Sequence, residues 1–517
     1  MASRQLYDLL NDLEYRLAGS LVDEGLLFSL SIESLAYRSD QVAPNSLFFA
    51  IRGTKFDGHD FVAEAASRGA SALIVERPLD VDLLQIVVAD SRQALALVSR
   101  RFFDDPSARL KVSAITGTNG KTTTTCLLDW IARYAFNHAA APEEGQQEPV
   151  ERTGLIGTVE TRIGATRLRS THTTPESYEL QRLLARCVQE GITHVAMEVS
   201  SHAIQLKRVA GVHFALAAFS NLTQDHLDFH GSMEAYFEAK AALFDSPLVA
   251  RRIVNIDDEW GRRLLERCRV AGWGETLLTC GLSEGADIRA CDVVYSAQET
   301  TLLLETPEGS FPLRYPLVGA FNVSNILLAA SCASALGIDW PTIIAALATA
   351  PQIPGRLERV APSAARIGVF VDYAHTPDSI VKALDAINGL RGQARSIIVF
   401  GCGGDRDATK RPLMGTAALE ADYCVVTSDN PRSEDPAAII ADILPGMTAG
   451  AGRFEVEVDR RRAIARALAL AEPGDLVLIA GKGHEDYQIV GDTILAFDDR
   501  VVAAEELARL RDKAARP

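Results

Sequence analysis

Residues Gly117, Thr118, Asn119, Gly120, Lys121, Thr122 and Thr123 stand between an apolar run ending at Thr116 and an amphipathic stretch reaching Phe136. A strand, a glycine turn and a helix in that order bring backbone N–H groups and a helix N-terminus onto a phosphate. Lys121 can then reach the terminal phosphates and Thr122 can ligate Mg²⁺. A general phosphate loop has a further glycine five residues before Gly120; this chain has Ile115 there.

Two acid and histidine clusters follow apolar runs in the same region. Glu198 closes the run from His194, with Ser200, Ser201 and His202 just beyond it, and Asn221, Thr223, Asp225, His226, Asp228 and His230 follow Phe219. Such groups at two strand ends fit a Mg²⁺ ion held by a few protein ligands and nucleotide oxygens. Ser232 then reads as the N-cap of a helix to Asp245. Lys240 falls three or four residues from Tyr236, Phe237, Leu243 and Phe244, so it shares their face. Burial there would lower its pKa and leave a neutral, reactive amine. From spacing alone the commoner outcome is a stem along the core with its ammonium in water.

A third set lies towards the end of the chain. The stretches 401–415, 429–432 and 480–488 each follow an apolar run. Taken alone, Thr427–Pro436 reads as a solvated turn, because Asn-Pro is turn chemistry. Ligands of open α/β sheets bind beyond the carboxyl ends of the strands, so these clusters are expected to share one or two clefts.

The elements that must hold them alternate between strand-like and helix-like patterns from about Val112 onward, which predicts an α/β protein with mainly parallel sheets. Helix-ending residues at Phe102–Val112 and Ala348–Val360 divide the 517 residues into three expected domains, 1–108, 109–352 and 353–517. Asn137–Gly154 is polar enough to be expected as a surface loop. The net charge of −16 argues against a nucleic-acid partner, and no apolar stretch is long enough to span a bilayer. The charged N-terminal stretch does not read as an export signal, and the eight cysteines show no metal spacing, so a reducing, cytoplasmic setting is expected.

The shorter loop form Gly117–Thr123 resembles the central ATPase domain of the Mur ligase superfamily, which has folylpolyglutamate synthase as a more distant member and whose enzymes join an amine to a carboxylate with ATP. The resemblance covers nearly the whole chain and is nearest to members that add diaminopimelate. It implies a UDP-binding α/β domain, a central phosphate-loop domain and a C-terminal Rossmann-like domain.

Several residue roles follow from the resemblance. ATP would be held by Gly117 to Thr123, by Asn322 and Asn325 near adenine, and by Arg356 and Asp372, with His375 nearby, from the third domain. Lys121, Lys240, Glu198 and His226 would be catalytic. Thr122, Glu198, His226 and a CO₂-derived carbamate on Lys240 would bind Mg²⁺. Ser39, Thr54, Lys55 and Phe56 would contact the UDP-sugar, and Thr173, Thr174, Ser200 and Arg208 the muramoyl-dipeptide. Arg406, Asp429, Asn430, Pro431, Arg432, Gly481 and Glu485 would bind the far end of diaminopimelate: Arg for its carboxylate, Asp or Glu for its ammonium, Asn for further hydrogen bonds. The implied reaction joins meso-diaminopimelate to the D-glutamate side chain of UDP-N-acetylmuramoyl-L-alanyl-D-glutamate through an acyl phosphate. Lysine-adding relatives lack the Asp429–Arg432 form, so lysine is expected to be a poor substrate. The enzyme is expected to be a cytoplasmic monomer in peptidoglycan precursor synthesis.

Overall fold

The computed structural model describes residues 3–19, 24–53, 56–139, 151–168, 170, 172–296, 299–360 and 367–514. Three main sheets follow one another along the chain. The first has five strands, in the spatial order Arg16–Ala18, Leu84–Val87, Ala70–Val75, Ser46–Phe49, Ser34–Ala36. All its pairs are parallel except that of the short edge strand Arg16–Ala18.

The second sheet has eleven strands. At its centre β1 (Lys111–Thr116) lies between β2 (His194–Glu198) and β3 (Leu216–Phe219), both parallel to it. Ile115 pairs with Glu198 and Thr116 with Phe219, so the chain leaves all three strands at the same edge. Alternate residues of β1 point to opposite faces: Ile115 packs in one core with Leu127, Ile131 and Leu327, and Val112 and Ala114 in the other with Tyr236, Phe237 and Phe244. Burial on both faces is why these strands read as continuous apolar runs. Helix α1 (Lys121–Ala139) covers one face with α4 (Ala320–Ala335); α2 (Ser201–Gln205) and α3 (Met233–Phe244) lie on the other. The Ser232 hydroxyl accepts the Ala235 N–H, the N-cap read from the sequence. The antiparallel strands Ile288–Tyr295, Thr300–Thr306 and Gly309–Tyr315 extend one edge and were not foreseen.

The third sheet has six strands, with β4 (Gly368–Asp372), β7 (Leu476–Ala480), β5 (Ser396–Phe400) and β6 (Tyr423–Val426) adjacent in that order and parallel. Helix α5 (Pro377–Leu390) follows β4, started by a Thr376–Ser379 capping box and Pro377 in its first turn. Of the expected loop Asn137–Gly154, residues 137–139 belong to α1, 140–150 lie outside the described residues, and Thr153 begins a strand. Thr54 and Lys55 also lie outside the described residues.

Candidate active site

The phosphate loop needs its glycines. Gly117 has φ +140° and Gly120 φ +85°, and a Cβ would strike Ser220 Oγ at the first and Asn325 Oδ1 at the second. The segment after β3 clamps the loop: Ser220 Oγ donates to Asn119 O (2.6 Å), and Asn119 N donates to Asn221 Oδ1 (3.1 Å). Lys121 folds back across it, donating to Gly117 O (3.0 Å) and Thr118 O (2.9 Å). Burial lowers the pKa of Lys121 against the pull of Glu198 and Asp225.

Glu198 faces this loop from the end of β2. Its Oε2 accepts from Thr122 Oγ1 (3.0 Å) and Thr158 Oγ1 (3.1 Å), and its Oε1 from Thr158 N (2.7 Å). Thr158 was missed in the sequence, where nothing marks it. Gly157 makes room, since a Cβ there would stand 2.6 Å from Oε1. The acid and the Thr122 hydroxyl thus stand side by side as two oxygens at the loop.

Lys240 corrects the expectation of an ammonium in water: it is 1% exposed. Its Nζ donates to Gly117 O (2.8 Å) and stands 4.6 Å from the Tyr236 ring centroid. Burial, helped by the charge of Lys121, pushes its pKa well below the ordinary lysine value, while Asp225 opposes the shift. His226 has φ +53° and lies 3.4 Å from Asp225, with its ring 4.8 Å from that of His202. Burial lowers the pKa of both imidazoles, that of His202 to about 4. Among the described residues no three His, Cys, Asp or Glu side chains are grouped to hold a metal unaided. Thr122 and Glu198 still fit Mg²⁺, which is usually bound through one or two protein oxygens plus phosphates and water.

The third sheet reaches this site. Arg356 Nη2 donates to Thr122 Oγ1 (2.9 Å), and its guanidinium lies over Tyr373, 4.9 Å from the ring centroid. Its buried Nε has no acceptor among the described residues, a donor left for an anion. Asp372 instead supports the Arg356 turn, accepting Leu357 N at 2.7 Å, and His375 Nδ1 contacts Tyr373 O at 2.7 Å. Asn322 and Asn325 bond to Val318 O (2.7 Å) and to each other (3.1 Å), backing Gly120.

The segment of Thr173 and Thr174 joins the same cluster. Thr174 Oγ1 donates to Glu198 O (2.9 Å) and accepts Ser200 N (3.1 Å); Thr173 Oγ1 meets Thr158 Oγ1 at 3.0 Å. Arg208 donates to Thr174 O (3.1 Å) and pairs with Glu176 (2.7 Å), which also faces Arg92 of the first sheet's flanking helix at 3.7 Å. Ser39 opens a short helical turn in the first sheet's connections, and Phe56 is 72% exposed; neither bonds to this cluster.

A separate charged cluster gathers at the ends of β5, β6 and β7. Asn430 Nδ2 donates to Glu485 Oε2 (2.8 Å), and Asn430 N to Asp429 Oδ1 (2.7 Å). Arg432, at φ +53°, donates to Gly404 O (2.8 Å) and lies with Arg406 over Gly403, where a Cβ would be 3.0 Å from Arg432 Nη1. Pro431, Asn430's neighbour, is buried, and Gly481 (φ +116°) leaves space for Asp429, whose Oδ2 would be 2.5 Å from a Cβ. Lys482 and Arg460, both buried here, carry no spacing in the sequence that sets them apart; Arg460 pairs with Asp499 at 2.6 Å.

A phosphate loop at one sheet and a cluster of opposite charges at the strand ends of another make this a multidomain α/β enzyme of the nucleotide-using ligase class. Three family models match the chain in order: "Mur ligase family, catalytic domain" over 31–103, "Mur ligase middle domain" over 115–333, and "Mur ligase, glutamate ligase domain" over 355–483. The chain belongs to the Mur ligase family. A Gloeobacter violaceus relative, named UDP-N-acetylmuramoyl-L-alanyl-D-glutamate--2,6-diaminopimelate ligase, is 45% identical over 503 residues, 96% of this chain and 98% of its own. A solved structure with the same enzyme name superposes with TM-score 0.69 at 31% identity, covering 98% of this chain and 99% of that one. Folylpolyglutamate synthase of Mycobacterium tuberculosis, at 18% identity and TM-score 0.60, shares the fold over 83% of this chain and 95% of its own.

Proposed function

We propose that this chain is the ATP-dependent, ADP-forming ligase that adds meso-2,6-diaminopimelate to the D-glutamate side chain of UDP-N-acetylmuramoyl-L-alanyl-D-glutamate, a cytoplasmic step of peptidoglycan precursor synthesis carried out by a monomer. The observation that carries this reading is the charged cluster at Arg406, Asp429, Asn430, Arg432 and Glu485. It offers guanidinium for a carboxylate and carboxylate for an ammonium on a sheet other than that of the phosphate loop. The relatives' names agree with it. No helix among the described residues is long and apolar enough to cross a membrane.

In this reading Gly117–Thr123 binds the ATP phosphates, and Lys121 leaves the loop carbonyls to neutralise the γ-phosphate as it passes to the D-glutamate carboxylate. Arg356 brings a second positive charge from the third sheet, so the site is completed by domain approach. Asn322, Asn325 and Asp372 shape the nucleotide's surroundings by holding Gly120 and the Arg356 turn. Thr122, Glu198, His226 and Lys240 as its carbamate would hold Mg²⁺, which neutralises phosphate charge when bound. The lowered pKa of Lys240 favours the neutral amine that CO₂ requires.

Thr173, Thr174, Ser200 and Arg208 orient the acceptor dipeptide, and Ser39, Thr54, Lys55 and Phe56 hold its UDP end. The neutral amine of diaminopimelate then attacks the acyl phosphate, forming the amide C–N bond and releasing phosphate. With His226 given to the ion, the neutral imidazole of His202 is the available proton acceptor. Much of the rate comes from positioning and from keeping water off the acyl phosphate.

Phosphate release is the test, measured with ATP, Mg²⁺ and the UDP-linked dipeptide, with meso-diaminopimelate or L-lysine as the amine. Rapid release and product formation with diaminopimelate alone are expected. Equal use of lysine would overturn the specificity, and release indifferent to either amine would overturn the ligase.

A further inference from the structure

Lys482 is a second wholly buried lysine, 0% exposed, to which the reaction above gives no part. It sits in the turn after β7. Its Nζ donates to Asn430 Oδ1 (3.3 Å) and Glu485 Oε2 (3.2 Å) and lies 5.4 Å from the Tyr487 ring centroid. Asn430 Oδ1 also accepts Ile489 N (2.9 Å), which fixes the amide so that its Nδ2 faces Glu485. Oε2 of Glu485 therefore has two donors, one carrying a full charge, while Oε1 has none among the described residues.

The resident charge changes what this carboxylate can attract. An ammonium arriving at Oε1 meets an anion already partnered by a cation, and it meets the repulsion of that cation where water screens poorly. An amine offering only an ammonium gains little. A ligand with a carboxylate beside its ammonium gains further bonds, because Arg432 and Arg406 lie together over Gly403 at the same carboxyl edge of the third sheet as Glu485. The field of Lys482 itself favours that carboxylate.

We propose that Lys482 is a specificity-determining residue: by partnering Glu485 it lowers the site's attraction for a lone ammonium, so that an amino-acid centre with both charges is accepted and a simple amine such as the end of lysine is refused. The discrimination acts against the wrong ligand more than for the right one. The inference rests on reading this cluster as the site of the amine substrate's far end.

Three variants test it. Lys482→Met removes the charge at similar length, Lys482→Gln removes it while keeping a donor, and Lys482→Arg keeps it. For each, kcat/KM is measured for meso-diaminopimelate and for L-lysine at saturating ATP and UDP-linked dipeptide, with thermal melting as the check on folding. Met and Gln are expected to lower the diaminopimelate-to-lysine ratio by about tenfold or more, with KM for lysine falling, and Arg to keep the ratio. A purely structural lysine would weaken both substrates in parallel, and an unchanged ratio in either folded variant overturns the proposal. Loss of folding in both Met and Gln would assign Lys482 to stability and overturn it as well. Failure of the unaltered enzyme to ligate either amine would instead strike at the ligase reading.

Discussion

Asp378 Oδ2, in the first turn of α5, accepts hydrogen bonds from Asn119 Nδ2 and Thr223 Oγ1, both at 3.0 Å. One carboxylate oxygen thereby ties the third sheet's layer to the phosphate loop and to the segment after β3. Lys382, one turn on, braces it at 2.8 Å. With the bond from Arg356 to Thr122, it joins the third sheet to the phosphate loop at more than one point.

Asp378→Ala should therefore act on catalysis more than on stability. Hydrogen bonds to a charged group contribute about 1.5–3 kcal/mol each, and less for a carboxylate one-third exposed. A fall in kcat/KM for ATP of about tenfold is expected, with melting nearly unchanged. Steady-state kinetics checks this, and wild-type kinetics in the variant would show that the tie is incidental.

Lys240 should respond to CO₂. Enzyme prepared free of bicarbonate is expected to be slow and to recover when bicarbonate is restored, because burial holds the amine in the form that reacts. Lys240→Arg cannot follow that course and should stay inactive, by about 10³-fold or more, with or without bicarbonate. Rate measurements on the two proteins decide it; a wild-type enzyme indifferent to bicarbonate would remove the carbamate.

Arg432→Lys keeps the charge but loses the planar fork. KM for diaminopimelate should rise by about 10- to 100-fold while KM for ATP stays within about twofold, since the phosphate loop belongs to another sheet. Parallel rises in both constants would place Arg432 in the general fold.

Acid should destabilise the protein in a defined window. Burial lowers His202 and His484 from 6.5 to about 4, so in the folded state both stay neutral where the unfolded chain takes up protons. Their contribution is intact above the unfolded value and is lost as pH falls from about 6.5 towards 4. Melting temperature followed across that range should drop, and the drop should be smaller in His484→Gln. Equal slopes in the two proteins would mean that His484 does not contribute.

How much of this was legible in the residues differs from one group to the next. The phosphate loop was readable because its function is local: glycine φ angles, a helix N-terminus and an adjacent lysine all lie within seven residues. The cluster at Asp429, Asn430, Arg432 and Glu485 was readable as residue types, to which the resemblance alone attached a role, while their meeting at one sheet edge is a matter of the fold. The alternation of strand and helix gave the layered architecture, because strands buried on both faces carry unbroken apolar runs.

Tertiary structure alone decided the rest. The spacing of α3 left the head of Lys240 free to reach water, and only the packing of Tyr236 and the loop carbonyl of Gly117 buries it. Asp378 looks like an ordinary acid in a helix's first turn until the third sheet is set against the phosphate loop, a contact across 259 residues of chain. Lys482 lies in a stretch noticed for its neighbours, yet its partner Asn430 is 52 residues away. Local sequence specifies φ angles, caps and periodicity; which distant charges meet in a poorly screened interior is settled by the assembly of whole sheets.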